Sequence, residues 1–198
     1  MVIAGDGFLR DALSRRRFLG IAGAGVAAGA SGALLTGCGD DTKSAAARAT
    51  PDESDTADVE LLNSVLDLEL IVVAAYKAGA ARLRGSNLRI AKGFLEQEQE
   101  HADALAAAIR DLGGTPNGPK SSYTFPRMRS QGTAIQFAVD LENTIVAAYI
   151  DALPKFSKAA LRSTAAAIVT CEAEHIAVLL GALGQPQAPA PFVVGRAA

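Results

Sequence analysis

Glu98-Gln99-Glu100-His101 and Glu172-Ala173-Glu174-His175 contain both histidines of this 198-residue chain. Each histidine follows a glutamate by three positions inside a long stretch of helical pattern. Positions i and i+3 of an α-helix share a face, so each motif aims one carboxylate and one imidazole the same way. With nine glutamates in 198 residues, the chance that both histidines have one at minus three is about 0.002. Glutamate favours helices, which raises that figure somewhat. Even so, a doubled motif with no spare histidine points to a paired-metal site.

The motifs belong to an internal repeat. Residues 66–76 read LDLELIVVAAY and residues 139–149 read VDLENTIVAAY, matching at an offset of 73 that pairs Glu69 with Glu142 and Tyr76 with Tyr149. The Glu-x-x-His motifs are offset by 74. Each half therefore supplies first a glutamate and then a Glu-x-x-His. A four-helix dimetal site needs this set: one Glu from each of two helices and one Glu-x-x-His from each of the other two.

In this pattern, which covers roughly residues 57–184, the chain resembles the ferritin-like di-iron or di-manganese carboxylate superfamily. That superfamily includes ferritins, bacterioferritins, rubrerythrins and manganese catalases; within it the chain resembles secreted ferritin-like domain proteins, some described as desiccation-related. The resemblance implies an all-α four-helix bundle of two helical hairpins joined by one long crossover. It implies that Glu98 and Glu172 bridge two metals, that Glu69 and Glu142 are terminal ligands, and that His101 and His175 each serve one metal. It further implies that Tyr76 and Tyr149 hydrogen-bond ligand carboxylates across the bundle and can supply an electron.

The residues themselves bear on each of these roles. Glu69 and Glu142 lie in apolar runs, where an ionised carboxylate is costly unless paired or metal-bound; facing solvent or pairing with an arginine is the plainer alternative. Four carboxylates neutralise two divalent cations, and mixed oxygen and nitrogen donors suit two iron or two manganese ions, with zinc also compatible. Tyr76 and Tyr149 follow their glutamates by seven residues, about 10 Å along a helix. Two core aromatics with satisfied hydroxyls would fit that spacing as well. Glu96, Glu100 and Glu174 fall on another face and read as solvated, and Asp67 and Asp140 also lie off the ligand face. One departure from the family pattern stands out. Di-iron members often carry an aspartate four residues before the ligand histidine, where this chain has Gln97 and Cys171. An amide oxygen accepts well and a thiol poorly, so the two metal positions are expected to differ.

Periodicity places helix one from a cap at Asp55 or Thr56 to about Leu83, and helix two from Ser86 to Leu112, stopped by Gly113-Gly114. Helix three is expected over Gln131–Leu153 and helix four over Lys158–Leu183. Between the hairpins run 18 residues, GGTPNGPKSSYTFPRMRS, with three prolines. A connection that long needs a task, and crossing the length of the bundle is one.

The ends of the chain carry an address. Ser14-Arg15-Arg16-Arg17-Phe18-Leu19 matches a twin-arginine export signal, with Arg15 and Arg16 as its pair, and a Gly/Ala-rich stretch follows. Five glycines between Gly20 and Gly32 argue against a stable helix there. Leu35-Thr36-Gly37-Cys38 resembles a lipoprotein cleavage box with Cys38 lipidated. Residues 1–37 then form the signal peptide, 38–56 a flexible tether, 57–184 the ferritin-like domain and 185–198 a proline-bearing tail whose Phe192-Val193-Val194 run is expected to cover part of the bundle. Cleavage removes four arginines and two aspartates, leaving a net charge near −4, which gives no reason to expect nucleic-acid binding. Cys171 would be the only thiol left, which precludes an internal disulfide, and the absence of a Cys-x-x-Cys pair precludes a rubredoxin-type centre.

The expected function is redox chemistry at an exported dimetal site. Its partners would be ferrous iron, dioxygen or peroxide, the twin-arginine export machinery and the membrane through Cys38; self-association is compatible with all of these. A manganese-catalase-like activity is the alternative enzyme, and a non-enzymatic stress-protection protein of the envelope is the rival of another class. The leader yields the first test. Changing Arg15 and Arg16 to Lys should strand the precursor in the cytoplasm, and Cys38→Ala should release a folded domain; cell fractionation in which both variants stay anchored like wild type would refute the leader reading.

Overall fold

The computed structural model describes residues 52–195. Arg15, Arg16, Cys38 and most of the tether lie outside the described residues. The domain is built from α1 (Glu53–Gly79), α2 (Gly85–Asp111), α3 (Gln131–Ala152) and α4 (Ala159–Ala182). Short 3-10 turns, Ala80–Arg82 and Leu153–Lys155, close α1 and α3. The α1–α2 and α3–α4 hairpins pack into a four-helix bundle whose principal contact between hairpins is α1 against α3.

Helix α1 begins at Glu53, earlier than the caps at Asp55 and Thr56 predicted and four residues into the expected tether. The Asp52 carbonyl accepts the first helical N–H groups, from Asp55 and Thr56. Glu53 and Asp55 favour this first turn by meeting the positive end of the helix dipole. Instead of capping, Asp55 pairs with Lys158 at 2.5 Å, at the start of α4. Helix α3 starts on a capping box between Ser130 and Thr133.

Gly113, at φ +78°, ends α2, and its N–H and that of Gly114 return to the Arg110 and Ile109 carbonyls. These are the paired bonds of a glycine-terminated helix. A Cβ on Gly114 would come within 2.7 Å of Val59, so the turn also needs glycine for packing.

The crossover then runs along α1. Thr115 and Asn117 bond Asn63, and the Asn117 amide donates to Asp67 at 3.1 Å. Asp67 thus fastens the crossover, while Asp140 accepts from Gln136 on its own helix; neither reaches the ligand cluster. At the far end of α1, Met128 lies over Gly79.

The repeat is visible in the hydrogen bonds. Asp58, 1 % exposed, accepts from the Ser157 N–H at 2.9 Å and from the Ser157 hydroxyl. Gln131, 73 positions later, accepts from the N–H of Arg84 at 3.0 Å. In each case a side chain at the start of one hairpin holds the turn of the other. The tail departs from expectation: Phe192, Val193 and Val194 are exposed, at 77, 54 and 53 %. Backbone contact of Gly195 with Asn143 and Ala147 meets the bundle instead. Prolines at 186, 189 and 191 keep the segment out of a helix, so it presents no continuous apolar face.

Asp58 is a buried carboxyl group that accepts two hydrogen bonds, both from Ser157 on the opposite hairpin. Asp58→Ala should lower unfolding stability by about 2 kcal/mol, the scale of hydrogen bonds to charged groups, and more than Gln131→Ala does. Urea unfolding of the two variants checks that order.

Candidate metal centre

Each helix contributes ligand candidates from near its middle: Glu69 from α1, Glu98 and His101 from α2, Glu142 from α3, Glu172 and His175 from α4. The four carboxylates have no exposed surface, His175 has 1 % and the His101 side chain 13 %. Burying four acids together would be prohibitive without compensation.

The cluster resolves into two groups that share two members. Glu69, Glu98, His101 and Glu172 form one; Glu98, Glu142, Glu172 and His175 form the other, with the candidate ligand atoms of each group within 4.8 Å of one another. His101 Nδ1 lies 2.8 Å from Glu172 Oε1, 3.6 Å from Glu98 Oε2 and 3.9 Å from Glu69 Oε2. His175 Nδ1 lies 2.9 Å from Glu98 Oε1, 3.0 Å from Glu172 Oε2 and 3.7 Å from Glu142 Oε1. Glu98 and Glu172 therefore give one oxygen to each group.

None of these approaches has hydrogen-bond geometry. Both Nδ1 atoms, both oxygens of Glu98 and of Glu172, and Oε2 of Glu69 and of Glu142 are buried without a hydrogen-bond partner. Buried polar atoms are nearly always paired, and a group of orphans converging on two positions fits a pair of cations. The donor set, four carboxylates and two imidazoles, matches iron or manganese in chemistry as well.

The outer atoms of the cluster are held. Tyr149 donates to Glu69 Oε1 at 2.6 Å and Tyr76 donates to Glu142 Oε1, each across the bundle. Glu69 and Glu142 thereby keep Oε2 without a hydrogen-bond partner inside the cluster. Burial, followed by the charge of the bonded glutamate, raises both phenols well above their ordinary pKa, so they remain donors.

The spacing of Gln97 suggested a partner four residues on, at His101. The fold instead gives its Oε1 to His175 Nε2 of the other hairpin, at 2.8 Å. Cys171 Sγ lies 3.6 Å from the same Nε2 and also interacts with His101. In the bundle α2 faces α4, so Gln97, one turn before His101, meets the ring of His175, whereas Cys171 lies beside the histidine of its own helix and reaches His101 as well. Phe94 is a second residue that spacing did not single out for function. Its ring stacks on His175 at 3.9 Å and meets Tyr76 edge-on at 6.2 Å. Its position four before Glu98 was the available signal. Glu96 and Glu174 are exposed, and Glu100 is half-buried.

Protons compensate the cluster in the absence of metal. Burial works against a charge on His101, but the Cys171, Glu172 and Glu98 side chains outweigh it and lift its pKa to about 12. His175 is likewise raised, against its burial. Burial pushes Glu142 up to about 8 and Glu69 well above the carboxylate range, whereas the two imidazoles overcome burial at Glu172 and hold it at about 2.

Residues 57–185, more than half of the chain, match the family described as Ferritin-like domain, and the chain belongs to that family. Solved structures share its fold. A conserved hypothetical protein from Mycobacterium tuberculosis is 21 % identical with a TM-score of 0.62, the match covering 65 % of this chain and 98 % of that one. A ferritin-like di-iron-carboxylate protein from Bacillus anthracis is 21 % identical with a TM-score of 0.57, covering 67 and 99 %. A mutant of Mycobacterium smegmatis Dps1 is 14 % identical with a TM-score of 0.60, covering 67 and 98 %. Comparison with curated protein sequences finds no match.

Metal loading must displace the protons held by His101 and His175. Anaerobic titration of metal-free protein with ferrous or manganous ion should take up about two ions per chain, as a two-metal site requires, and release at least one proton per histidine. Affinity should rise with pH towards 8, where Glu142 also ionises. His101→Ala with His175→Ala should abolish the uptake; an unchanged stoichiometry by elemental analysis would refute the assignment.

Proposed function

We propose that this chain is an exported, lipid-anchored dimetal protein that oxidises ferrous iron with dioxygen or peroxide as the oxidant. The observation that carries the reading is the shared pair Glu98 and Glu172, each offering one unpartnered oxygen to either side of a buried cluster. Glu98 and Glu172 would hold two cations side by side, as the shared ligands of two-metal sites do. Bound there, a pair of iron or manganese ions supplies a two-electron couple to the oxidant.

The protein residues have distinct tasks in this scheme. Glu98 and Glu172 fix the separation of the two positions. Glu69 with His101, and Glu142 with His175, complete each position separately. Gln97 accepts the Nε2 proton of His175, which leaves the Nδ1 lone pair facing the cluster. Tyr149 and Tyr76 orient Glu69 and Glu142, and would each supply one further electron towards the reduction of dioxygen, the phenol proton passing to the carboxylate it already bonds. The apolar helix faces around the cluster keep bulk water away.

Export and anchoring are supported by the Ser14–Leu19 signal and the Cys38 box. Together they would place the domain on the outer face of the cell membrane, where extracytoplasmic ferrous iron and peroxide are its substrates.

Ferrous-loaded protein mixed with oxygen or peroxide should show a rapid near-ultraviolet absorbance rise from ferric iron. Glu98→Ala or Glu172→Ala should slow it most, while Tyr76→Phe and Tyr149→Phe should keep metal stoichiometry and change the yield or course of oxidation. Oxidation no faster than free ferrous ion in the same buffer would refute the ferroxidase reading. Peroxide disproportionation by the manganese-loaded form would establish the catalase alternative.

A further inference from the structure

An apolar cavity of about 30 Å³ lies between the end of α1 and the start of α3, with walls that include Ala75, Tyr76, Leu83, Ala138 and Leu179, and with Met128 of the crossover beside them. Its position relative to the cluster is one-sided. Tyr76, one of its walls, donates to Glu142. Leu141 precedes Glu142, and Leu179 lies one turn beyond His175; both line it. The cavity thus adjoins the Glu142–His175 position.

The repeat supplies an internal control for whether this space is a packing accident. The helices of one half occupy the lattice of the other, so each wall residue has a counterpart. Gly79, Leu83, Ala134 and Ala138 of the cavity correspond to Ala152, Phe156, Leu61 and Val65, each larger. Asn87 corresponds to Leu161. Phe156 and Val65 are buried, at 2 % exposure each, in the half that holds the Glu69–His101 position. The order reverses at Ile90, Phe137 and Met128, whose counterparts are Thr164, Ser64 and Asp55. Ile90 and Phe137 are half-buried, as expected of residues that close an outer wall. One half of the duplicated bundle thus carries the larger inner side chains, and the other carries smaller ones inside and larger ones outside.

The dimensions and chemistry of the space restrict its occupant. A volume of 30 Å³ holds about two water-sized spheres, hence one diatomic molecule and no organic substrate. A water there would find few polar partners, and cavities of this kind stay dry or take up apolar guests such as xenon. Dioxygen is apolar and partitions from water into such surroundings by the same solvent expulsion that drives apolar burial. Peroxide, a strong hydrogen-bonding solute, does not.

We propose that this cavity is a docking site for dioxygen, from which the gas reaches the Glu142–His175 side of the metal centre. The inference rests on the oxygen-consuming reading above and adds the choice of oxidant and the side from which it arrives.

Xenon tests the cavity without any reaction. Crystals of metal-free protein under xenon pressure should show one xenon atom among Ala75, Leu83 and Ala138. Ala138→Val, alone and with Leu83→Phe, installs the residues of the filled half and should expel it. In iron-loaded protein the same variants should keep metal stoichiometry. Their second-order rate with oxygen should fall several-fold and recover at high oxygen pressure, while the rate with peroxide should hold. An empty cavity in wild type under xenon, or an oxygen rate unchanged in a variant that excludes xenon, overturns the proposal. Xenon binding together with wild-type protein that never consumes oxygen would overturn both the oxygen role and the ferroxidase reading, leaving a gas-binding cavity; absence of xenon with active wild type overturns the docking site alone.

Discussion

The fold depends on putting four carboxylates and two imidazoles into the centre of a bundle from which water is excluded. Such a group is tolerable only when its charges are balanced, by cations or by the protons that lift His101 to about 12 and Glu142 to about 8. The balance needs all four helices, since no hairpin by itself holds both shared carboxylates. Much of the remaining structure keeps four mid-helix positions level with one another. Asp58 and Gln131 tie each hairpin to the turn of the other, and the crossover is fastened to α1 through Asn63 and Asp67.

Duplication supplies the symmetry, and its departures give the two halves different characters. The tyrosines are paired faithfully, Tyr76 on Glu142 and Tyr149 on Glu69. The ring nitrogens are not. His175 meets an amide oxygen and the thiol of Cys171, whereas His101 shares the thiol alone of these two. Phe94 stacks on His175, and its counterpart in the other half is Ile168. The side with the better hydrogen-bond acceptor is also the side with the apolar cavity. Two groups with the same candidate ligand types thus sit in different surroundings, a kind of difference that in metal sites tunes affinity and redox behaviour.

Much of this is legible in the amino-acid sequence. The 73- and 74-residue offsets, the doubled Glu-x-x-His motif and the proline-bearing 18-residue connection determine the number of helices, their pairing into hairpins and the six candidate ligands. Helical periodicity is a local property, so it survives in the sequence. Boundaries are less secure. Asp55 has the character of a cap but serves an ion pair with Lys158, because a capping residue type says nothing about what a neighbouring hairpin offers it. The apolar triplet at Phe192 has the composition of a cover but lies exposed, since composition alone does not place a segment without a repeating face.

Tertiary structure alone decided which residues of one hairpin meet those of the other. Sequence spacing assigned Gln97 to His101, one turn away on its own helix, but packing of α2 against α4 gave it to His175. Spacing could show that a tyrosine shares a face with a glutamate, but not that the two tyrosines exchange partners across the bundle. The cavity beside Tyr76 was equally invisible, because it arises from the sum of small losses at Gly79, Ala134 and Ala138 on different helices. Period, repeat and ligand type are written along the chain. Pairing across helices and the space left between them depend on how whole faces pack.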